Sequence, residues 1–169
     1  MVMFKITLQT QADSQVIEAL MTEAFGPNRY DRSVWALRPG APVAALCLVG
    51  YDDDQAVGSL RFWEVLLNDE IILLLGPLAV RPHVRGKGFG QHLVQEGIRL
   101  ARLGPWRLVL VSGEPDYYPK FGFVPAFGYG LAWPGFVEPE RLQFCELVPG
   151  ALASLPSSGL VVRGVTPPA

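Results

Sequence analysis

The residues best placed to do chemistry are Arg85-Gly86-Lys87-Gly88-Phe89-Gly90, inside the run LLLGPLAVRPHVRGKGFGQHLVQEGIRLARL from Leu73 to Leu103. Glycines on alternate positions let successive backbone N–H groups converge with no Cβ in the way, and such a nest at a helix N-terminus binds phosphate. Downstream, Tyr117-Tyr118-Pro119-Lys120-Phe121-Gly122-Phe123 sets a pair of phenols in a loop or single helical turn closed by a Phe-Gly-Phe strand start. A phenol of pKa ~10 stays protonated at neutral pH and can donate. Glu64, Glu70, Glu114 and Asp116 stand near strand ends as the carboxylates from which a base could come. His83 and His92 are read as solvated, with no spacing that supports a metal site. Cys47 and Cys145 lie far apart in apolar runs without a CxxC pattern, as buried free thiols do.

Around these residues the pattern predicts a frame. Phe4, Ile6 and Leu8 alternate with polar residues as in a half-buried strand. Thr10-x-x-Asp13 opens a helix whose apolar face is Val16, Ile17, Leu20, Met21 and Ala24, ending near Phe25-Gly26-Pro27. Asn28 to Trp35, polar and aromatic without clear periodicity, reads as a second short helix or a loop, and as a solvated connection in preference to a segment that touches substrate. Strands are expected over Val43 to Tyr51 and Val57 to Leu66, joined at Asp52-Asp53-Asp54, and over Ile71 to Val80. Gly76-Pro77 inside the last of these predicts a bulge. After the glycine loop, Leu93, Val94, Gly97, Leu100 and Ala101 share one helix face, with Gly97 allowing close approach to a sheet. Arg107 to Ser112 is a short apolar run of the kind buried on both faces, and the strand–helix–strand crossover implies parallel pairing with Ile71 to Val80. Phe127, Tyr129, Trp133 and Phe136 then line a long loop, either as a substrate wall or as core cover, and Gln143 to Val148 forms a further strand.

Composition bounds the rest. The 169 residues, 50% hydrophobic and 18% charged, suit one ordinary soluble domain. The 14 Lys+Arg against 16 Asp+Glu leave a net charge of −2, with none of the basic excess that neutralises a nucleic-acid backbone. The sequence pI near 5.7 mildly favours cationic partners. No window reaches the ~18 apolar residues of a membrane span and no leader pattern opens the chain, so the expected location is the cytoplasm.

Spacing separates the phosphate loops that compete for the glycine segment. A P-loop requires Ser or Thr after the lysine, but Gly88 follows Lys87. A dinucleotide fingerprint requires Gly-x-Gly-x-x-Gly early in a strand–helix–strand unit, and the phase here is Gly86-x-Gly88-x-Gly90 after a hairpin. What remains, Val80-Arg81-Pro82-x-x-Arg85-Gly86-x-Gly88-x-Gly90, resembles the acyl-CoA loop of the GNAT N-acetyltransferase superfamily. Tyr118, four residues before Gly122, matches the tyrosine that precedes the Gly-Phe of that family. The likeness is strongest to a bacterial branch with a Gly-Pro-Leu-x-Val strand and a Tyr-Tyr-x-x-Phe-Gly-Phe motif, and it covers roughly residues 4 to 150.

The resemblance implies an α+β, single-domain GNAT-like fold over residues 1–150; residues 151–169 are read as a C-terminal tail, with a short added strand left open. Its sheet would be mixed and twisted, an antiparallel meander plus a parallel splayed strand pair, flanked by helices. It implies acetyl-CoA as cosubstrate, with the pyrophosphate on the N–H groups of Gly86, Gly88, Phe89 and Gly90 and cations from Arg85 and Lys87. Backbone groups of Leu78, Ala79 and Val80 would meet the pantetheine and polarise the thioester, and Tyr118 would be the catalytic acid, with Tyr117 as its alternate. The family often places a glutamate in the strand that is apolar here from Ile71 to Leu75, which leaves a base or water chain unassigned.

The expected activity is direct transfer of an acetyl group to a primary amine, on a small molecule or peptide, in a ternary complex. Two other readings stay open. A non-catalytic acyl-CoA sensor would keep the loop without needing Tyr118, and a transferase of longer acyl chains would use Phe127, Tyr129 and Trp133. No metal, nucleic acid or membrane is expected as a partner, and a homodimer is left open.

Overall fold

The computed structural model describes residues 4–165. The alternating N-terminal run forms strand β1 (Phe4–Leu8), and helix α1 (Ser14–Phe25) follows behind a turn whose Asp13 carboxylate accepts the Thr10 N–H at 2.7 Å and the Tyr51 hydroxyl at 2.5 Å. Ile17, Leu20 and Met21 make the buried stripe of α1, and Gly26 ends it at φ 79°. Two departures from the sequence reading come next. Asn28 to Trp35 takes the short-helix alternative over the solvated connection: it starts two short 3-10 turns, Arg29–Asp31 and Ser33–Leu37, that bury Val34, Leu37 and most of Arg29. Over Ala44–Leu46, good helix formers in place of β-branched residues, the chain closes another 3-10 turn, and strand β2 (Leu48–Asp52) starts only after it.

β2 forms a hairpin with β3 (Gln55–Leu67) through Asp53, and β3 forms another with β4 (Glu70–Val80) through Asn68; both turn residues have positive φ. Helix α2 (Phe89–Arg102) then carries the chain across to β5 (Leu108–Ser112), which lies parallel to β4. Two residues of β6 (Val124–Pro125) and the longer β7 (Leu142–Glu146) extend the sheet beyond β5 in the order β1-β2-β3-β4-β5-β7-β6. The tail supplies β8 (Val162–Gly164), antiparallel to Val65–Leu67 along β3, and Leu160 and Val162 are buried there. The fold is therefore the expected α+β arrangement, antiparallel in every pairing of named strands except β4 with β5.

Strand alternation sends neighbours into different cores. Phe62, Leu73 and Val109 join Leu93, Val94, Ile98 and Ala101 of α2, while Trp63, Leu74 and Leu110 face the opposite layer of 3-10 turns and tail. Each fully buried Leu, Ile or Phe contributes about 1.5–3 kcal/mol to that packing. Gly97 sets the distance between α2 and the sheet, since a Cβ there would lie 2.6 Å from the Phe62 ring. Among the described residues no helix is long and apolar enough to cross a membrane.

Candidate active site

The site begins as an interruption in the sheet. Leu60 faces Leu78 and Phe62 faces Leu75, so Gly76 and Pro77 of β4 bulge opposite Arg61 alone. Gly76 has φ 127°, a conformation that suits glycine, and precedes Pro77 through a cis peptide. The Trp63 indole N–H donates to the Gly76 carbonyl at 3.0 Å and fixes the bulge from below. On the other edge of β4 only Leu73 and Leu74 pair with β5. Beyond Leu74 the two strands diverge, and the edge of β4 from Leu75 to Val80 is left without a strand partner on that side.

At the outer end of this opening lies the glycine loop. Gly86 and Gly88 both have φ 84°, the left-handed region, and Gly88 caps α2. Gly88, Phe89, Gly90 and Gln91 form the first turn of α2, where backbone N–H groups lack intrahelical acceptors, and the dipole adds partial positive charge. A cavity of about 340 Å³ sits over them, lined by Val80, Arg85, Gly86, Gly88, Phe89 and Gly90 together with Tyr117 and Lys120. Arg85 is exposed, with its Nε 3.3 Å from the Val80 carbonyl. Lys87 is exposed too, but it does not line this cavity, and its N–H is spent on the Val84 carbonyl at 3.3 Å. Lys120, which the sequence reading passed over, lies 4.4 Å from the Tyr117 ring centroid and supplies the cation on that side.

A second cavity of about 320 Å³ occupies the opening itself, between Leu75-Gly76-Pro77-Leu78 of β4 and Val111-Ser112-Gly113 at the end of β5. Leu78 and Tyr118 line it. Ala79, by contrast, turns its side chain away to pack under α1 with Ile17 and Leu20, leaving only its backbone near the edge. Tyr117 borders both cavities, and Gly90 leaves room beside it: a Cβ there would lie 3.2 Å from the Tyr117 hydroxyl and 3.3 Å from Val80.

Tyr118 is 7% exposed, its ring lying on Gly113 so closely that a Cβ at that glycine would overlap it. Phe123 and Tyr117 meet it edge-on at 5.4 and 5.1 Å. Burial, and then the neighbouring Tyr117, push its phenol well above the ordinary tyrosine value, and burial raises Tyr117 as well. Both phenols are protonated across the neutral range. Of the four candidate carboxylates only Glu114 reaches the inner cavity, where Arg141 pairs with it at 3.1 Å. Glu70 is tied to Arg107 at the far end of β4, Glu64 accepts the Trp106 indole N–H at 2.8 Å, and Asp116 is exposed outside the lining. Histidines 83 and 92 are both exposed.

The aromatic loop is mainly core cover. Tyr129 and Trp133 pack against the second core, and neither lines the inner cavity, so they give a longer acyl chain no room. The 3-10 segment takes the less favoured of its two readings and forms a wall: Arg29, Arg32, Val34 and Trp35, with Arg38 beyond them, close the cavity opposite Tyr118. With Arg141 this lining is rich in arginine. A positive φ at Gly135 and the Ser33 hydroxyl, which donates to Phe136 O at 2.6 Å, connect this wall to the later loop; nothing in the local spacing signals that distant contact.

A family model described as an acetyltransferase (GNAT) domain matches residues 44–125. The uncharacterized N-acetyltransferase YjhQ of Escherichia coli strain K12 is 32% identical over 153 residues, 86% of this chain and 83% of that protein. Among solved structures, the GNAT family N-acetyltransferase YhbS from Escherichia coli in complex with CoA superposes with a TM-score of 0.79 at 28% identity, covering 95% of this chain and 90% of the other. A GNAT family acetyltransferase from Brucella melitensis in complex with acetyl-CoA gives a TM-score of 0.70 at 26% identity over 94% of each chain.

Proposed function

The chain belongs to the GNAT acetyltransferase family, and on that premise we propose that it moves an acetyl group from acetyl-CoA directly to an amine held in the same opening. One observation carries the reading: between two diverging parallel strands, a cavity over an N–H nest and a second cavity with a protonated phenol on its wall stand side by side, both bordered by Tyr117. The relatives in complex with CoA and acetyl-CoA support the same cosubstrate here.

The residues fit that molecule. Gly86, Gly88, Phe89 and Gly90 offer backbone N–H groups to the pyrophosphate, and charge-assisted bonds of ~1.5–3 kcal/mol each outweigh the ~0.3–1 kcal/mol of the helix dipole. Arg85 and Lys120 add charge, with Lys87 contributing at longer range. The open edge at Leu78, Ala79 and Val80 offers backbone donors and acceptors to the pantetheine amides, and its N–H groups polarise the thioester carbonyl. Acetyl-CoA supplies an activated acyl carbon, and the protein's task is to orient an amine toward it and to stabilise the departing thiolate. Tyr118 does the latter. A phenol of pKa ~10 facing a thiol of ~8.5 is already a poor proton donor, by ~2 kcal/mol at 1.36 per unit, and burial widens the gap. Its contribution is thus a hydrogen bond to developing charge more than a completed proton transfer. Glu114 is the carboxylate placed to receive the amine proton, directly or through water.

The test is calorimetric titration with acetyl-CoA and CoA, with NAD as control, followed by thiol release with a panel of amines. Micromolar binding of the CoA species alone and amine-dependent release are expected. Equal binding of NAD, or no binding, would end the reading.

A further inference from the structure

The inner cavity carries charges that the transfer reaction does not use. Arg29 is held by Glu18 at 2.5 Å and Arg141 by Glu114 at 3.1 Å, but among the described residues no carboxylate pairs with Arg32 or Arg38. Arg38 is the more telling. Its guanidinium lies over the Trp35 ring at 4.7 Å and near the Trp63 ring at 5.9 Å, and its Nε is buried without a hydrogen-bond partner. Its Nη2 stands 3.0 Å from where a Cβ of Gly76 would be, beside the bulge at which β4 leaves β5. Burial, and then the like charge of Arg32, push it down to about 9, so it remains a cation at neutral pH but a costly one. A half-buried charge with an unpartnered Nε normally has a counterion, and a guanidinium fork set over an aromatic ring matches a carboxylate or phosphonate.

Building on the proposed acetyl transfer, we infer that the acceptor is a small amino acid or aminophosphonate, whose anionic group, within a few bonds of its amine, sits on Arg38 and Arg32. Proximity sets that limit, because Arg38 flanks the bulge where the amine must arrive. Size agrees: about 320 Å³ is at the small end of ligand cavities. A polyamine or aminoglycoside would bring more positive charge onto an arginine wall, and an internal lysine of a protein would bring no anion.

The experiment measures thiol release from acetyl-CoA with matched acceptors: glycine and glycinamide, L-phenylalanine and L-phenylalaninamide, aminomethylphosphonate, and putrescine. Calorimetry of the CoA-loaded protein with N-acetylglycine and N-acetylglycinamide reads the same preference without turnover. Acids are expected to exceed their amides by about 10- to 100-fold in kcat/KM, or in affinity of the acetylated product. The amino acids and aminomethylphosphonate then tell a carboxylate site from a phosphonate site. Arg38→Met should erase the preference and leave CoA affinity unchanged, and Arg38→Lys should keep part of it. Should Arg38→Met fail to fold, Arg32→Gln, at an exposed position, should still reduce the preference several-fold. Equal use of acid and amide, a preference for putrescine, or an undiminished preference in these variants overturns the inference while CoA binding keeps the transferase reading intact. Failure of the wild-type protein to bind CoA removes both.

Discussion

Replacing Tyr118 by Phe removes one oxygen from a side chain whose ring is otherwise fixed. The ring keeps its seat on Gly113 and its edge contacts with Tyr117 and Phe123, so the packing that holds the end of β5 survives. The hydroxyl is a group that burial penalises when ionised, and its loss should leave the melting temperature unchanged or slightly higher. What disappears is a hydrogen bond to the charge on the departing sulfur, about 1.5–3 kcal/mol, or roughly 10- to 150-fold in kcat. CoA affinity should change less than threefold, since the ground-state ligand carries no such charge. The assay is steady-state thiol release beside calorimetry on the same preparation. The wild-type profile should also show no alkaline loss from Tyr118 near pH 10, because its phenol is pushed above the ordinary value. Equal losses in kcat and CoA affinity, or a lowered melting temperature with unchanged kcat, would refute the argument and make the tyrosine a packing residue.

Gly88→Glu forces a side chain into left-handed backbone, costing ~1–2 kcal/mol, and puts a carboxylate among the N–H groups. Calorimetry should find CoA binding abolished while circular dichroism stays native. Gly97→Val overpacks the contact with Phe62 and should lower stability by ~1–3 kcal/mol in urea unfolding, with no specific effect on CoA affinity. Tyr51→Phe tests the link from β2 to the start of α1 through pH. The Tyr51 hydroxyl, and then the Thr10 N–H, hold Asp13 below the ordinary carboxylate range, and the Asp13 bond is the first cause of the raised Tyr51 phenol. The contribution of Asp13 is full above its unfolded value of ~3.9 and lost as pH falls through the lower folded value. That of Tyr51 is full below ~10 and lost as pH rises through the higher folded value. The variant should therefore trail the wild type between about pH 4 and 10 and converge with it at both ends, as urea midpoints will show.

The frame around the site was legible because local physics decides it. Glycine spacing marks the nest, an unbroken apolar run marks a two-faced strand, and a Gly-Pro pair marks where β4 must depart from regular pairing. The site's floor and cofactor end follow from those marks. Its far wall does not. Arg29, Arg32 and Arg38 come from a stretch with no period, and they meet Arg141 and Glu114 only because 3-10 turns fold that stretch over the end of β5. Net charge does not locate them either: a chain of −2 overall can gather its cations on one surface. Lys120 was missed because its role rests on lying over Tyr117, a contact made across a single turn of irregular backbone.

The gap between β4 and β5 also bears on how long the molecule lasts. Two central strands paired only at Leu73 and Leu74 rely on the cores above and below them, and a ligand lying between them would add a further tie. A ligand that binds there and not to the unfolded chain adds RT ln(1 + [L]/Kd), about 2.7 kcal/mol at a hundredfold excess over Kd. That is a sizeable share of the ~5–15 kcal/mol by which most domains stay folded. With acetyl-CoA bound in that gap, as proposed, the protein should resist local opening and proteolysis more than without it, and abundance of the enzyme would then follow supply of its acetyl donor.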